Sequence, residues 1–166
     1  MFIWKYIDID TESILDITER FNNKINGKTP KHFFQHLDLG INHFLNLKIT
    51  PPVLIRVKPN YFAAIHKDFR TKSTLAINIP LLNCENSLTE FWEIDPTIPV
   101  IRKLTPNFVP YNEVDPTQCK KIDEYKLTAP VIFDTSIPHS VHNYSNQERL
   151  AISIRFEEDP WHLINI

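Results

Sequence analysis

The chain has 166 residues, a length that suits one domain with one hydrophobic core, so we treat residues 1–166 as a single domain. Hydrophobic residues make up 42% of it and charged residues 23%, as is usual for a globular protein. No apolar segment suggests secretion or a membrane span, so we expect a cytoplasmic protein with no membrane partner. The net charge of −2, the lack of a basic run and the presence of only 2 glycines argue against nucleic-acid binding and against glycine-rich phosphate loops.

The N-terminal part of the chain predicts helices. Apolar and polar residues alternate in the first ten positions, which predicts an opening strand. Asp10 or Thr11 is placed to cap a helix over residues 13–23, and an apolar stripe over residues 31–47 predicts a second amphipathic helix. We therefore expect residues 1–50 to form a helical support for the rest of the domain.

Beyond residue 52 the sequence changes to short β-rich runs separated by proline, asparagine, aspartate and lysine. Six runs predict strands, at residues 53–57, 61–66, 73–81, 100–104, 131–134 and 150–156. Helices followed by many short strands are typical of a sandwich or barrel with helices on one outer face. The predicted fold is mainly β with N-terminal helices, with a double-stranded β-helix (jelly-roll, cupin-like) over residues 53–160. The segments 83–99 and 105–125 show no pattern and are expected to be loops.

A candidate metal site begins at the end of one predicted strand. His66 and Asp68 are two residues apart, so on a strand both side chains project from the same face. Two imidazoles and one carboxylate on one wall are the ligand set of non-haem Fe(II) oxygenases. A His-x-Asp sequence alone fits an ordinary exposed strand end better than a metal site, so the metal interpretation depends on a second histidine from elsewhere in the chain.

The distal part of the chain supplies that histidine and a cation. A strand over residues 131–134 enters a turn that leads to His139, and a polar connection then leads to the last strand. In that strand Arg149, Ser153 and Arg155 share one face with small neighbours. An arginine on such a face favours an interior pocket for a carboxylate, which a guanidinium binds in a bidentate manner.

These residues together resemble a known family. The order His-x-Asp, a gap of about 70 residues, His, and then Arg ten residues later resembles the Fe(II)- and 2-oxoglutarate-dependent oxygenases. Within that superfamily the chain is similar to the aspartyl/asparaginyl β-hydroxylase-like branch. Its segment VIFDTSIPHSVHN, residues 131–143, is similar to the branch's FDDSFEHEVWN, and residues 73–81 resemble the strand that follows the first ligand. The resemblance covers about residues 53–160.

The resemblance implies a catalytic metal centre. It makes His66, Asp68 and His139 the ligands of Fe(II). The β-hydroxylase branch often lacks the acidic ligand, which Asp68 supplies here. His142 stands where the branch has tryptophan, which leaves His142 as an alternative to His139.

The resemblance also implies a site for the co-substrate 2-oxoglutarate. Arg149 would hold its distal carboxylate, with Arg155 as a rival for that role. Asn78 falls where the family has a polar co-substrate contact, and Tyr61 and Ser73 are placed to add hydroxyl groups.

The implied activity is that of an oxidoreductase. It is a dioxygenase, in particular a hydroxylase of an amino-acid side chain or a small molecule, that consumes O2 and converts 2-oxoglutarate to succinate. The partner is then a small-molecule substrate or the side chain of a peptide or protein.

Two other classes fit the same residues. One is a non-catalytic jelly-roll module that binds a small ligand, and the other is a zinc site that activates water for hydrolysis.

Overall fold

The computed structural model describes residues 2–25, 34–36, 38–68, 73–105 and 110–163. Within these residues it contains one α-helix, α1 (Thr11–Ile25), and two 3₁₀ turns, Pro116–Gln118 and Trp161–Leu163. The strands are β1 (Trp4–Tyr6), β2 (Phe34–His36), β3 (His43–Phe44), β4 (Leu47–Lys48), β5 (Val53–Val57), β6 (Tyr61–Phe62), β7 (His66–Asp68), β8 (Leu75–Leu82), β9 (Ser87–Ile94), β10 (Ile101–Leu104), β11 (Pro110–Glu113), β12 (Cys119–Lys126), β13 (Val131–Asp134), β14 (His139–Asn143) and β15 (Arg149–Arg155).

Two antiparallel sheets form a sandwich. The first sheet has the strand order β1-β13-β8-β15-β5-β2, and the second has the order β10-β11-β7-β14-β9-β12, with β6 also paired to β14. Successive strands alternate between the sheets, because β8 lies in the first and β9 in the second, and β13, β14 and β15 alternate in the same way. This alternation is the double-stranded β-helix, or jelly roll, that the sequence predicts.

Strand β15 separates two compartments. Ile152 packs on the outer face of the first sheet, in one apolar cluster with Ile17 and Phe21 of α1. Ala151 faces the interior between the two sheets, in a cluster with Phe91. Each fully buried aliphatic or aromatic side chain of this kind contributes about 1.5–3 kcal/mol. The helix therefore covers the outside of the first sheet, and the interior is left for the site.

The helix α1 confirms the first helical prediction. Asp10 caps it, because its Oδ1 accepts a hydrogen bond from the Ser13 N–H at 2.7 Å. The hydrogen bonds from the Ser13 side chain and backbone lower the pKa of Asp10.

Among the described residues, no helix is both long and apolar enough to cross a membrane.

The predicted second helix over residues 31–47 is wrong for the described part of that range. β2 pairs with β5 at the edge of the first sheet, and β3 and β4 form a hairpin. At the turn of this hairpin Leu45 and Asn46 have positive φ angles of 52° and 61°, which a helix does not allow. Residues 26–33 and 37 lie outside the described residues. The described apolar residues Ile41, Phe44 and Leu45 of this range instead pack in the outer core.

The predicted loops 83–99 and 105–125 are also wrong in part. β9 and β12 lie within or largely within these ranges and form a long antiparallel pair at one edge of the second sheet. β11 lies in the second range and pairs with β7. The sequence of β12 resembles a loop because half of its side chains are both exposed and charged, which hides the alternation of a half-buried strand.

Candidate metal centre and anion pocket

Strands β7 and β14 bring the three predicted ligands together. His139 is the register partner of His66, and their imidazole ring centroids are 4.6 Å apart. Asp68 projects from the same face of β7 as His66, as expected for residues two apart on a strand. One ligand atom from each of the three side chains lies within 4.8 Å of the other two. The fold therefore builds a candidate metal-binding triad from segments about 70 residues apart in sequence.

Backbone carbonyls orient both histidines. His66 Nδ1 lies 2.8 Å from the Ala64 carbonyl oxygen, and His139 Nδ1 lies 2.9 Å from the Ile137 carbonyl oxygen. A ring nitrogen that faces a carbonyl carries the proton and donates it, so Nε2 of each ring keeps its lone pair. Both lone pairs are then available to a cation, in the arrangement that metal-binding histidines usually show.

The carboxylate of Asp68 divides its two oxygens between different partners. Oδ1 lies 3.6 Å from His66 Nε2 and 4.0 Å from His139 Nε2. A cation with bonds of about 2.1 Å spans donor atoms up to about 4.2 Å apart. Oδ2 accepts a hydrogen bond from Arg155 Nη2 at 2.6 Å. Arg155 is thus engaged with the metal triad, and Arg149 is left as the candidate for the co-substrate carboxylate.

Burial and neighbouring charges set the protonation of the triad. Burial raises the pKa of Asp68, but Arg155, His139 and His66 lower it by more, so that the pKa of Asp68 lies well below its usual range. Burial, together with His66, lowers the pKa of His139 to about 4, although Asp68 opposes the shift. At neutral pH Asp68 is therefore charged and His139 is neutral, which are the states that bind a metal ion.

The alternative ligand His142 lies on the opposite face of β14. Its Nε2 is 2.8 Å from Glu90 Oε2 and 2.8 Å from Ser140 Oγ. Its ring also contacts Phe62, with ring centroids 5.1 Å apart. Since residues three apart on a strand face opposite sides, His139 and His142 cannot both face the interior. The geometry therefore places His139, not His142, beside Asp68.

The interior also contains a guanidinium for which the described residues supply no hydrogen-bond partner. Arg149 is 0% exposed, and none of its three guanidinium nitrogens has a hydrogen-bond partner among the residues that the structure describes. Asn78 Oδ1 and Ser153 Oγ are likewise buried without a partner in the described part of the chain. An unpaired buried charge costs several kcal/mol, and an anion at this position would supply the missing acceptors.

A layer of aromatic rings lies between the metal triad and the polar group around the Arg149 guanidinium. The Phe133 ring lies 5.5 Å from the His139 ring and 6.2 Å from the Tyr125 ring, and Phe91 contacts the same two rings. Asn78 Nδ2 donates a hydrogen bond to the Tyr125 hydroxyl at 3.4 Å. Burial raises the pKa of Tyr125, and among the groups that oppose this is the charge of Arg149. The triad, the aromatic layer and the polar group around Arg149 thus follow one another between the sheets.

Two of the predicted co-substrate residues lie elsewhere. The Ser73 hydroxyl donates a hydrogen bond to Asp159 Oδ1 at 2.5 Å, so it is not directed towards Arg149. Tyr61 is 41% exposed on β6, near Tyr111 at the border of the triad. Asn78, by contrast, is buried opposite Ser153 of β15 and donates a hydrogen bond to the Tyr125 hydroxyl.

Sequence reasoning missed Tyr125, which is buried close enough to Arg149 to feel its charge, and Thr89, the register partner of Tyr125. Both fall in segments that the sequence predicts to be loops. The signal that could have located Thr89 is the concentration of leucine, threonine, phenylalanine, tryptophan and isoleucine over residues 87–94, which favours a strand. For Tyr125 the sequence offers only a weak alternation.

Comparison with known proteins supports the fold. No protein-family profile matches the chain, and no curated protein matches it in sequence. AviO1 from Streptomyces viridochromogenes Tue57 matches in structure with a TM-score of 0.55 and 13% identity, over 96% of this chain and 90% of that one. EvdMO1 has a TM-score of 0.49 and 14% identity, over 93% of this chain and 47% of that one. Bacillus subtilis oxalate decarboxylase, a protein with Mn(II) centres, has a TM-score of 0.40 and 13% identity, over 80% of this chain and 27% of that one.

The likeness to AviO1 extends over nearly the whole of both chains and, at this identity, shows a shared fold alone. The chain is a cupin-like jelly-roll protein with a candidate metal-binding triad in its interior. Its chemistry has to be argued from the site.

Proposed function

We propose that this protein is an Fe(II)- and 2-oxoglutarate-dependent dioxygenase that hydroxylates an amino-acid side chain or a small molecule. The observation that carries the proposal is Arg149, a fully buried guanidinium with no partner among the described residues, in the same interior as a triad of two histidines and one aspartate. A metal ion alone does not account for that cation. An anionic co-substrate that binds the metal ion at one end and Arg149 at the other accounts for both the triad and the buried guanidinium.

The donor set fits Fe(II). Two imidazoles and one carboxylate on one side of an ion, with positions open on the other, are typical of non-haem Fe(II) oxygenases. His66, Asp68 and His139 would hold the ion through Nε2, Oδ1 and Nε2. The bound ion would supply the activation of O2 that is coupled to decarboxylation of 2-oxoglutarate to succinate and to hydroxylation of the substrate.

The order of chemical groups in the interior suits a dicarboxylate with an apolar middle. One end of 2-oxoglutarate carries the 2-oxo acid group that suits a metal ion, and the other carries a carboxylate. Arg149 offers this carboxylate a bidentate, charge-assisted contact, and Ser153 offers a buried hydroxyl that lacks a partner among the described residues. Phe91 and Phe133, which separate His139 from Tyr125, provide apolar surface for the methylene groups between the two ends.

The exposed side of the triad is where we expect the substrate. The side chains of His66 and Asp68 are each 18% exposed, whereas that of His139 is 5% exposed. Tyr111 borders this side, with its ring edge-on to the His66 ring at 5.8 Å. We propose that a small molecule, or a side chain of a peptide or protein, reaches the centre past Tyr111, and that the reaction involves no nucleic acid and no membrane.

The first experiment is an anaerobic titration of the metal-free protein with Fe(II) and 2-oxoglutarate, monitored in the visible for a metal-to-ligand charge-transfer band. We expect a band that requires both additions in the wild type and is absent or much weaker in Arg149→Met and His139→Ala. Arg56→Met is the matched control, because Arg56 is a half-buried arginine paired with Glu148 at 2.5 Å and makes no contact with the triad.

Each outcome separates the candidate functions. A band in the wild type that Arg149→Met weakens and Arg56→Met preserves supports the oxygenase. Metal binding without any response to 2-oxoglutarate refutes it and favours hydrolytic zinc chemistry. No metal binding at all refutes it in favour of a module that binds a small anionic ligand at Arg149.

A further inference from the structure

We propose that Arg155 is a positioning residue that restricts Asp68 to a single bond with the metal ion, and thereby sets how many coordination positions stay open. The inference deepens the proposed function and rests on the metal centre within it. It does not depend on the identity of the co-substrate.

The geometry of the ion pair carries the inference. Arg155 lies on β15 of the first sheet and Asp68 on β7 of the second, so the pair crosses the interior between the sheets. Arg155 Nη2 donates to Asp68 Oδ2 at 2.6 Å, while Oδ1 of the same carboxylate faces both histidine Nε2 atoms. The two oxygens therefore have separate partners, since Oδ1 faces the histidine nitrogens that would share an ion with it and Oδ2 faces the guanidinium.

A carboxylate without this hydrogen bond is free to bind a metal ion in a second mode. Aspartate binds metal ions through one oxygen or through both, and the second mode takes an additional coordination position. A charge-assisted hydrogen bond to Oδ2 is among the strongest that a protein makes, and it occupies the oxygen that the second mode needs. The strand holds Arg155 in place, because its neighbouring residue Ile154 is fully buried in the cluster under α1.

The positive charge of Arg155 opposes the binding of a metal ion. A guanidinium next to a cation site repels the cation and weakens its binding, so that Arg155 is unfavourable for metal affinity alone. Its presence is explained if the centre needs open positions more than it needs affinity. An octahedral ion with three single protein bonds keeps about three positions open, and about two if Asp68 binds through both oxygens.

The test counts water molecules on Mn²⁺, which replaces Fe(II) and is paramagnetic. Water-proton relaxation and ¹⁷O spectroscopy give the number of inner-sphere waters without any co-substrate. We expect about three waters in the wild type and about two in Arg155→Met, with Mn²⁺ bound as tightly or more tightly in the variant. Arg155→Lys, which keeps a positive donor, should retain the wild-type number.

Arg56→Met is the matched control. Arg56 and Glu148 form an arginine–carboxylate pair with side chains 20% and 22% exposed, against 20% and 18% for Arg155 and Asp68. It has the same chemistry and burial but does not touch the triad, so its loss should leave the hydration of Mn²⁺ unchanged.

Several results would overturn the inference. They are equal hydration of wild type and Arg155→Met, weaker Mn²⁺ binding in a folded Arg155→Met, or the same loss of water in Arg56→Met. If Arg155→Met does not fold, Arg155→Lys decides, because fewer waters than in the wild type would refute the role. A wild type with about three waters but no response to 2-oxoglutarate would refute the proposed function and leave the role of Arg155 intact.

Discussion

His139 is paired on one side with His66 of β7 and on the other with Phe91 of β9, so the ligand that comes from the distal half of the chain lies in the middle of the second sheet. Its side chain is only 5% exposed. Central strands are the most rigidly held parts of a sheet, because both of their edges are hydrogen-bonded. His139 therefore sets the position of the centre, and the more exposed pair His66 and Asp68 completes it.

This arrangement predicts different effects for two neighbouring histidines. His139→Ala should lower the affinity for Fe(II) or Mn²⁺ by more than about 100-fold, because the loss of a direct ligand exceeds the roughly 10–100-fold effect typical of a supporting residue. His142→Ala should leave the affinity within about threefold of the wild type, because His142 contacts Glu90 and Ser140 on the other face. Equilibrium titration with metal would measure both. Equal losses in the two variants would contradict the geometry.

A second prediction concerns the stability of the protein without ligands. Arg149→Met removes a buried charge that lacks a partner among the described residues and replaces it with an apolar side chain of similar length, so the free energy of unfolding should rise by about 1 kcal/mol or more. In the metal-loaded protein, 2-oxoglutarate at about 100 times its dissociation constant should add about 2.7 kcal/mol to the stability of the wild type and almost nothing to that of the variant. Urea denaturation of the ligand-free, the metal-loaded and the fully loaded proteins would measure both changes. A ligand-free variant less stable than the wild type would show that Arg149 has an internal partner.

The sequence predicted the parts of the fold that carry a strong local signal. β5 and β13 lie at the predicted boundaries, because both are short apolar runs buried on both sides. The pairing of His66 with His139 was predicted only through a resemblance, since nothing local in the sequence relates residues about 70 positions apart. The long-range contact itself depends on the topology of the two sheets.

Other parts depended on tertiary context and were missed. β2 joins the first sheet at β5, although its surroundings resemble an amphipathic helix, because edge pairing outweighs local propensity. The role of Arg155 could not be predicted from the strand either. The alternation of β15 places Arg149 and Arg155 on the same face, and only the position of Asp68 across the interior distinguishes them.

A third prediction distinguishes two serines. Ser153→Ala should weaken 2-oxoglutarate binding by roughly 10- to 150-fold, because one hydrogen bond to a charged group contributes about 1.5–3 kcal/mol. The ligand-free stability should not fall, since the Ser153 hydroxyl has no partner among the described residues. Ser73→Ala should leave the affinity unchanged but lower the free energy of unfolding by about 1 kcal/mol, because it removes a hydrogen bond to Asp159. Titration of the charge-transfer band, together with urea denaturation, would test the pair. The opposite pattern would restore Ser73 as a co-substrate residue.

A fourth prediction is the pH dependence of metal-free stability. The pKa of His139 is lowered to about 4 from 6.5 by burial and by His66, so between these pH values the unfolded chain binds a proton at His139 that the folded protein does not. Stability from this source is present above the unfolded pKa and falls as the pH drops from 6.5 towards 4, with a slope of at most about 1.4 kcal/mol per pH unit.

The contribution of His139 to the pH dependence of stability can be separated from those of other titratable groups. Asp68, whose pKa lies below its usual range, stays largely charged in both states over most of this window and adds little slope. Burial also lowers the pKa of His142, although Glu90 opposes the shift, so His142 contributes in the same direction. The comparison must therefore be made against His139→Asn in the presence of a chelator, where only the His139 contribution is lost. Urea denaturation between about pH 7 and about pH 4.5 should show a shallower dependence in that variant, and parallel curves would mean that His139 is not buried in its neutral form.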